Sequence, residues 1–270
     1  MAQPNPEPAP AYLIVDTESI PDGRLVAAVK YPGENLTPEE AIARAQAEAR
    51  EKTGSDFLPV SFQIPVAICV LRVGADFTLQ SIRCLDAPQF RTRKIVEAFW
   101  GGVAHYKSKN KNVKLVTFNG RGFDLPLLEL CAFRYGLGNR DHFTFDRKRF
   151  DGWHYDLLEW LTNYGAYRLV GGLNLLSKLI GKPGKMAVTG EMVYPMFLEG
   201  KLQEINDYCM FDTLDTYFVF LRTRVMCGEL DLEGEHIAVL KAKEWIQAKS
   251  AETPALKTYL ENWGDWDPWP

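Results

Sequence analysis

Tyr12-Leu13-Ile14-Val15-Asp16-Thr17-Glu18 is the stretch on which the reading of this chain turns. A short apolar run with β-branched residues, ending in acid, predicts a buried central strand over residues 11–16. On an extended backbone residues i and i+2 share a face. Asp16 and Glu18 can therefore reach one cation while Thr17 turns away. Taken alone, an Asp-x-Glu pair more often marks a solvated strand end. The apolar run before it is what suggests a strand carrying two carboxylates to the edge of a sheet, where α/β sites lie.

Working outward, residues 19–62 read as an insertion. Within it, Thr37-Pro38-Glu39-Glu40 has the marks of a helix start, and Gly54 stops that helix. Strands are expected at 65–73 and 77–85, joined by Gly74-Ala75-Asp76 as a hairpin. A helix is expected at 89–106, followed by a basic loop at 107–114, a second buried strand at 113–118 and a helix at 123–135. A charged loop spans 137–152. Helices are expected at 155–164, 171–180, 202–227 and 233–249, with a loop at 181–190. There is no internal repeat. Strands come first and helices cluster later, which predicts an α/β fold, a mixed β-sheet flanked by α-helices. The expected organisation is a flexible Pro-rich arm over 1–10, one domain over 11–227, and a C-terminal helix with a Trp-rich tail over 228–270.

A chain of 270 residues can bury a substantial core. No apolar run suits a bilayer span, and the start lacks the basic and apolar regions of a signal peptide. Cys69, Cys84, Cys131, Cys209 and Cys227 form no CxxC pair and sit among apolar neighbours, which predicts reduced thiols and a cytoplasmic location without a membrane partner. The net charge of −4 argues against a non-specific DNA coat. It does not argue against a nuclease, because a carboxylate cluster adds negative charge that bound cations cancel.

Two further acids stand in telling places. Asp124 follows Thr117-Phe118-Asn119-Gly120-Arg121-Gly122-Phe123, where a buried strand passes two glycines into a helix. There it fits both a first-turn helix acid and a metal ligand, and the two roles are compatible. Tyr208 and Asp212 are four apart and share a helical face. Spacing alone leaves Tyr208 equally open to being a core aromatic beside a surface acid.

Together, Asp16-x-Glu18, Asn119-Gly120-x-x-Phe123-Asp124 and Tyr208-Cys209-x-x-Asp212 resemble the three motifs of the DEDD, or DnaQ-like, 3′–5′ exonucleases, in the branch with tyrosine before the last aspartate. The second and third resemble the proofreading domain of family-B DNA polymerases, and the whole is similar to the stand-alone predicted PolB-like 3′–5′ exonucleases. The likeness covers roughly residues 11–225 and includes Gly172-Leu173-Asn174-Leu175-Leu176, Gly181 and Lys185. Thr213 departs from it, standing where the family often has alanine.

The resemblance implies an RNase H-like fold and hydrolysis from the 3′ end of single-stranded DNA, or of frayed ends, with two Mg²⁺ or Mn²⁺ ions. It implies that Asp16 bridges both ions, that Glu18 and Asp212 complete the site carrying the attacking water, that Asp124 holds the second ion through water, and that Tyr208 orients the attacking water. Asn119, Gly120, Phe123 and the Thr17 backbone become substrate contacts, with helix anchoring as the other reading of Phe123. Asp156 is either an outer-shell acid or a helix start. Lys107, Lys109, Lys111 and Lys114, then Arg140, Arg147, Lys148 and Arg149, then Lys178, Lys182 and Lys185 are candidate strand-tracking cations or simply solvated faces. RNA trimming and nucleic-acid binding without catalysis are the alternatives, and the Trp-rich tail offers a site for a protein partner.

Overall fold

The computed structural model of the chain describes residues 9–147 and 152–264. One mixed sheet is built from β1 (Tyr12–Pro21), β2 (Gln63–Val73), β3 (Leu79–Cys84), β4 (Lys114–Thr117) and β5 (His154–Asp156). Its order is β3-β2-β1-β4-β5. β1 runs antiparallel to β2 and parallel to β4; β2 and β3 form the predicted hairpin, and β4 and β5 are parallel. The described helices are α1 (Gly23–Lys30), α2 (Pro38–Thr53), α3 (Thr92–Lys109), α4 (Asp124–Tyr135), α5 (Leu157–Leu161), α6 (Gly172–Leu179), α7 (Val193–Leu198), α8 (Leu202–Met226), α9 (Leu232–Lys249) and α10 (Pro254–Glu261). This is the α/β, RNase H-like arrangement of a mixed sheet flanked by helices.

β1 is central and covered on both faces, which is why it reads as a continuous apolar run instead of alternating. Leu13 and Val15 join Ile95, Phe99, Leu125 and Leu128 in a core against α3 and α4. Ile14 faces the other way, into a larger core with Cys209, Tyr217 and Phe218 of α8. α8 is buried nearly all round, because it lies between the sheet and the layer of α6, α9 and α10. Among the described residues no helix is long and apolar enough to cross a membrane.

The segment between β1 and β2 folds as a unit. Thr37 and Glu40 exchange capping hydrogen bonds at the start of α2, and Gly54 ends it in the left-handed conformation, as predicted. Val26, Tyr31, Ala41, Ala45 and Leu58 form a small separate core. Asp22, which caps α1, pairs with Arg134 and ties the segment to α4.

Several expectations are corrected. β1 extends to Pro21, so Asp16 and Glu18 lie within a paired strand and not at its end. β5 replaces the first turn of the helix expected at 155. It has three residues and pairs only with β4, too short for a period to register. α1, α7 and α10 were not expected, and α7 carries a proline. α3 runs to Lys109, so Lys107 is no loop cation. It is buried, paired with Asp146, and its Nζ lies 4.9 Å from the Trp153 ring centroid. Cys227 is exposed, unlike the other thiols. The Pro-rich arm, Lys148, Arg149 and the tail beyond Gly264 fall largely or wholly outside the described residues, while Trp263 packs edge-on against Phe218 and Tyr259.

Candidate active site

The site forms where β1 outruns its parallel neighbour. The pairing of β1 with β4 ends at Ile14 opposite Val116, while pairing with β2 continues through Asp16, Thr17 and Glu18. A crevice therefore opens at the carboxyl end of β4, the usual place for α/β sites. The register with β2 shifts immediately after Glu18. Such a bulge twists the strand and re-aims neighbouring side chains.

α8 crosses β1 at this point. The Cys209 thiol donates to the Asp16 carbonyl at 3.3 Å, which fixes the helix against the strand. Asp212, nearly one turn further along α8, then meets the strand pair: one carboxylate oxygen each from Asp16, Glu18 and Asp212 lie within 4.8 Å of one another. The predicted convergence of β1 and α8 is what the fold produces.

Asp124 arrives from the opposite face of the sheet, at the start of α4. Its Oδ1 accepts a hydrogen bond of 2.7 Å from the Thr17 hydroxyl. Thr17 does turn away from Asp16 and Glu18, as alternation requires, and what it meets there is the fourth acid. Asp124 thus stands beside the cluster of three, near enough for its charge to act on Asp16 and Glu18.

Burial and like charge dominate the electrostatics. Burial lifts Asp16 well above the ordinary carboxylate range, and the Glu18, Asp124 and Asp212 charges add to it. Glu18 is raised by burial and by Asp212 and Asp124, with Lys185 opposing. Burial brings Asp212 up to about 6, against the pull of the Tyr208 hydroxyl and Lys185. Asp124 is lifted to about 7 by burial despite the Thr17 hydrogen bond. Burial and the Asp212 charge push the Tyr208 phenol up, so it stays protonated at neutral pH.

Divalent cations fit this donor set. Asp16 Oδ2 is buried with no hydrogen-bond partner among the described residues. Clustered carboxylate oxygens are hard ligands, suited to Mg²⁺ or Mn²⁺.

The loop that delivers Asp124 is held by Asp156. That carboxylate accepts from Asn119 N at 3.1 Å, Arg121 N at 2.8 Å and Glu159 N at 3.2 Å. It caps α5, as the helix-start reading expected, and fastens the loop with the same two oxygens. Asn119 is exposed and left-handed, with φ of 65°. The Gly120 N–H donates to Thr117 Oγ1 at 3.1 Å, and a Cβ at Gly120 would overlap the Thr117 side chain. Thr117 Oγ1 also shares a 2.7 Å hydrogen bond with His154 Nε2. Burial lowers His154 to about 3, so it is neutral there. Phe123 is half-buried and pairs with the exposed Phe57, ring centroids 5.7 Å apart, instead of entering either main core.

The basic clusters are separated by the fold. Lys109, Lys111 and Lys114 sit at the amino end of β4, away from the crevice. Arg147 pairs with Glu129. Lys178 donates to the Pro183 carbonyl, and Lys182 is buried under Trp263 and Phe218. Lys185 differs: it is exposed, its backbone is fixed by Asn174 Oδ1 at 2.8 Å, and its charge reaches Glu18 and Asp212. Charge counting could not separate it from its neighbours.

Residues 55–263 match the family described as "predicted 3′-5′ exonuclease related to the exonuclease domain of PolB". The matched region takes in Asp124, Tyr208 and Asp212; it begins after Asp16 and Glu18, which the fold returns to the same crevice. No curated protein matches the chain. With most of its length matched, the chain belongs to this family of predicted 3′–5′ exonucleases related to the PolB exonuclease domain.

Proposed function

We propose that the protein is a divalent-cation-dependent 3′–5′ exonuclease acting on single-stranded DNA or frayed 3′ ends. One observation carries the reading: part-buried carboxylates from β1 and α8, almost two hundred residues apart in sequence, converge with a buried, unpartnered Asp16 oxygen at the carboxyl end of a parallel strand. A structural role does not explain burying like charges together, because each raises the ionisation cost of the next.

Asp16, Glu18 and Asp212 hold cations, with Asp124 supporting a second position through the Thr17-anchored side of the crevice. Ions bound there would supply charge relief at phosphorus, activation of water and stabilisation of the leaving oxygen. Tyr208, a neutral phenol at working pH, orients the attacking water by hydrogen bonding and removes no proton itself. Asn119, Gly120 and Phe123 line the approach of the 3′-terminal nucleotide, with the Thr17 backbone below them. The mildly acidic chain favours a grip on a few terminal nucleotides over neutralisation of many phosphates. Residues 11–227 carry these groups, and residues 228–264 extend the domain. The free thiols support a reducing compartment, the cytoplasm.

Purified protein with Mn²⁺ or Mg²⁺ is expected to shorten a 5′-labelled oligonucleotide into a ladder and to release mononucleotide from a 3′-labelled one. DNA and RNA oligomers of one sequence measure the sugar preference. Intact oligonucleotides in every arm would defeat the reading.

A further inference from the structure

α10 lies beside the acids and is anchored there. Tyr259 is fully buried, and its hydroxyl donates to Asp215 Oδ1 at 2.6 Å, nearly one turn beyond Asp212 on α8. Ala255 and Leu256 enter the same core. These contacts fix the rotation of α10 about its axis. Thr258 then lies on its other side, and Asn262 caps its C-terminus; both are exposed. They line a cleft that opens onto Tyr208 and Asp212. Its remaining wall is largely apolar, with Met186, Val188 and Phe211.

A phosphodiester held through cations at Asp16, Glu18 and Asp212 would have an attached nucleoside within reach of this cleft. A nucleoside presents apolar ring faces and a polar rim. The cleft offers an apolar wall for the faces and two hydrogen-bonding side chains for the rim. Asn262 Nδ2 uses one N–H on the Thr258 carbonyl at 2.9 Å, which leaves its second N–H and its side-chain oxygen for a ligand.

We propose that this cleft is the subsite for a nucleoside adjoining the scissile phosphate, with Thr258 and Asn262 on its polar rim and Met186, Val188 and Phe211 against its face. The assignment rests on the exonuclease reading of the neighbouring acids. It makes α10, outside the strand-and-helix frame that carries the acids, part of the substrate site.

The test uses the full chain with Mn²⁺, a 5′-labelled oligothymidylate, the same oligomer ending in an abasic site, and an RNA oligomer. Thr258→Trp fills the cleft and Asn262→Ala removes rim contacts; both positions are exposed, and an unchanged melting temperature verifies the fold. Thr258→Trp is expected to raise KM by about tenfold or more with kcat little changed. Asn262→Ala is expected to raise it about fivefold. On the abasic oligomer Asn262→Ala and wild type should converge, and the DNA and RNA arms show which nucleoside is held. An active wild type whose KM neither substitution moves overturns the proposal. A wild type that hydrolyses nothing defeats the exonuclease reading instead. Oligonucleotide binding by fluorescence anisotropy then decides the cleft on its own: weakened by Thr258→Trp it stands, unchanged it falls.

Discussion

Asp16 and Asp156 are carboxylates set among the same three strands, near the same crevice, and they are treated in opposite ways. Asp156 accepts three backbone N–H groups from two segments. Asp16 has a buried oxygen with no partner and carboxylates for company. Buried polar groups in native folds are nearly always satisfied. The Asp156 region is therefore framework, its charge spread over amides that the turn needs held. The Asp16 region is suited to a cation instead. The contrast separates a carboxylate that fastens a loop from carboxylates that are left to meet a ligand.

The largest expected effect breaks this comparison on the Asp16 side. Asp16→Asn should reduce hydrolysis by about a thousandfold or more, since charge stabilisation by cations supplies several kcal/mol. The same substitution should leave the cation-free protein as stable as wild type or more so, because it removes one of several mutually repelling buried charges. Rates on labelled oligonucleotides and a melting curve in chelator measure the two halves. Retention of activity within tenfold, or a large loss of stability, would place Asp16 among the framework residues.

Asp156→Ala tests the other side. It strands three amides, and unsatisfied buried donors cost about 1–3 kcal/mol each, partly recovered by water. A destabilisation of about 2–4 kcal/mol is expected, read from urea midpoints, with Asp156→Asn falling between. Cation addition should raise the melting temperature of both wild type and Asp156→Asn, and of Asp16→Asn least. If Asp156→Ala unfolds at the wild-type midpoint, its hydrogen bonds are not what holds the loop.

A third measurement sharpens the contrast through pH. Cation binding requires ionised carboxylates and releases their protons. With Asp212 raised to about 6 and Asp124 to about 7, protons compete with cations through that window. Mn²⁺ affinity, measured by titration calorimetry, should therefore tighten from pH 5 to 8 and level off above. An affinity flat across that range would show that these acids are ionised without help.

The central strand, the hairpin, the long α8 and the acids on them were legible because each carries a strong local signal: a β-branched run, a turn triplet, an i,i+4 pair. Alternation along β1 also gave the direction of Thr17, yet its partner Asp124 is over a hundred residues away and no period reveals it. β5 and α7 were too short to register. Lys107 looked like its lysine neighbours until tertiary packing placed it beneath Trp153. Lys185 and Lys182 are three apart in one loop, one facing the acids and one buried, a distinction set by contacts across the fold. Local chemistry was readable; the pairings that complete the crevice were not.

The smallest effect concerns Asp215, a third buried acid of mixed character. One oxygen accepts from Tyr259, and the other is buried without a partner. Burial raises this carboxyl to about 7, with the Tyr259 hydrogen bond opposing and the Asp212 charge assisting. Between the ordinary carboxylate range and about pH 7, the folded chain thus retains a proton that the unfolded chain has released. Stability linked to Asp215 is fully present at the acid end and is lost as pH rises through that window. Midway through the window the slope has an upper limit of ~1.4 kcal/mol per pH unit. Asp215→Asn keeps an acceptor for Tyr259 and cannot ionise, so the difference between its melting temperature and that of wild type should widen in the variant's favour from pH 4 to 7. The rest of the acid cluster is common to both proteins, so the difference reports Asp215 together with the part of Asp212 coupled to it. Parallel curves would mean that Asp215 is ionised in the fold and belongs with Asp156, as a satisfied anchor.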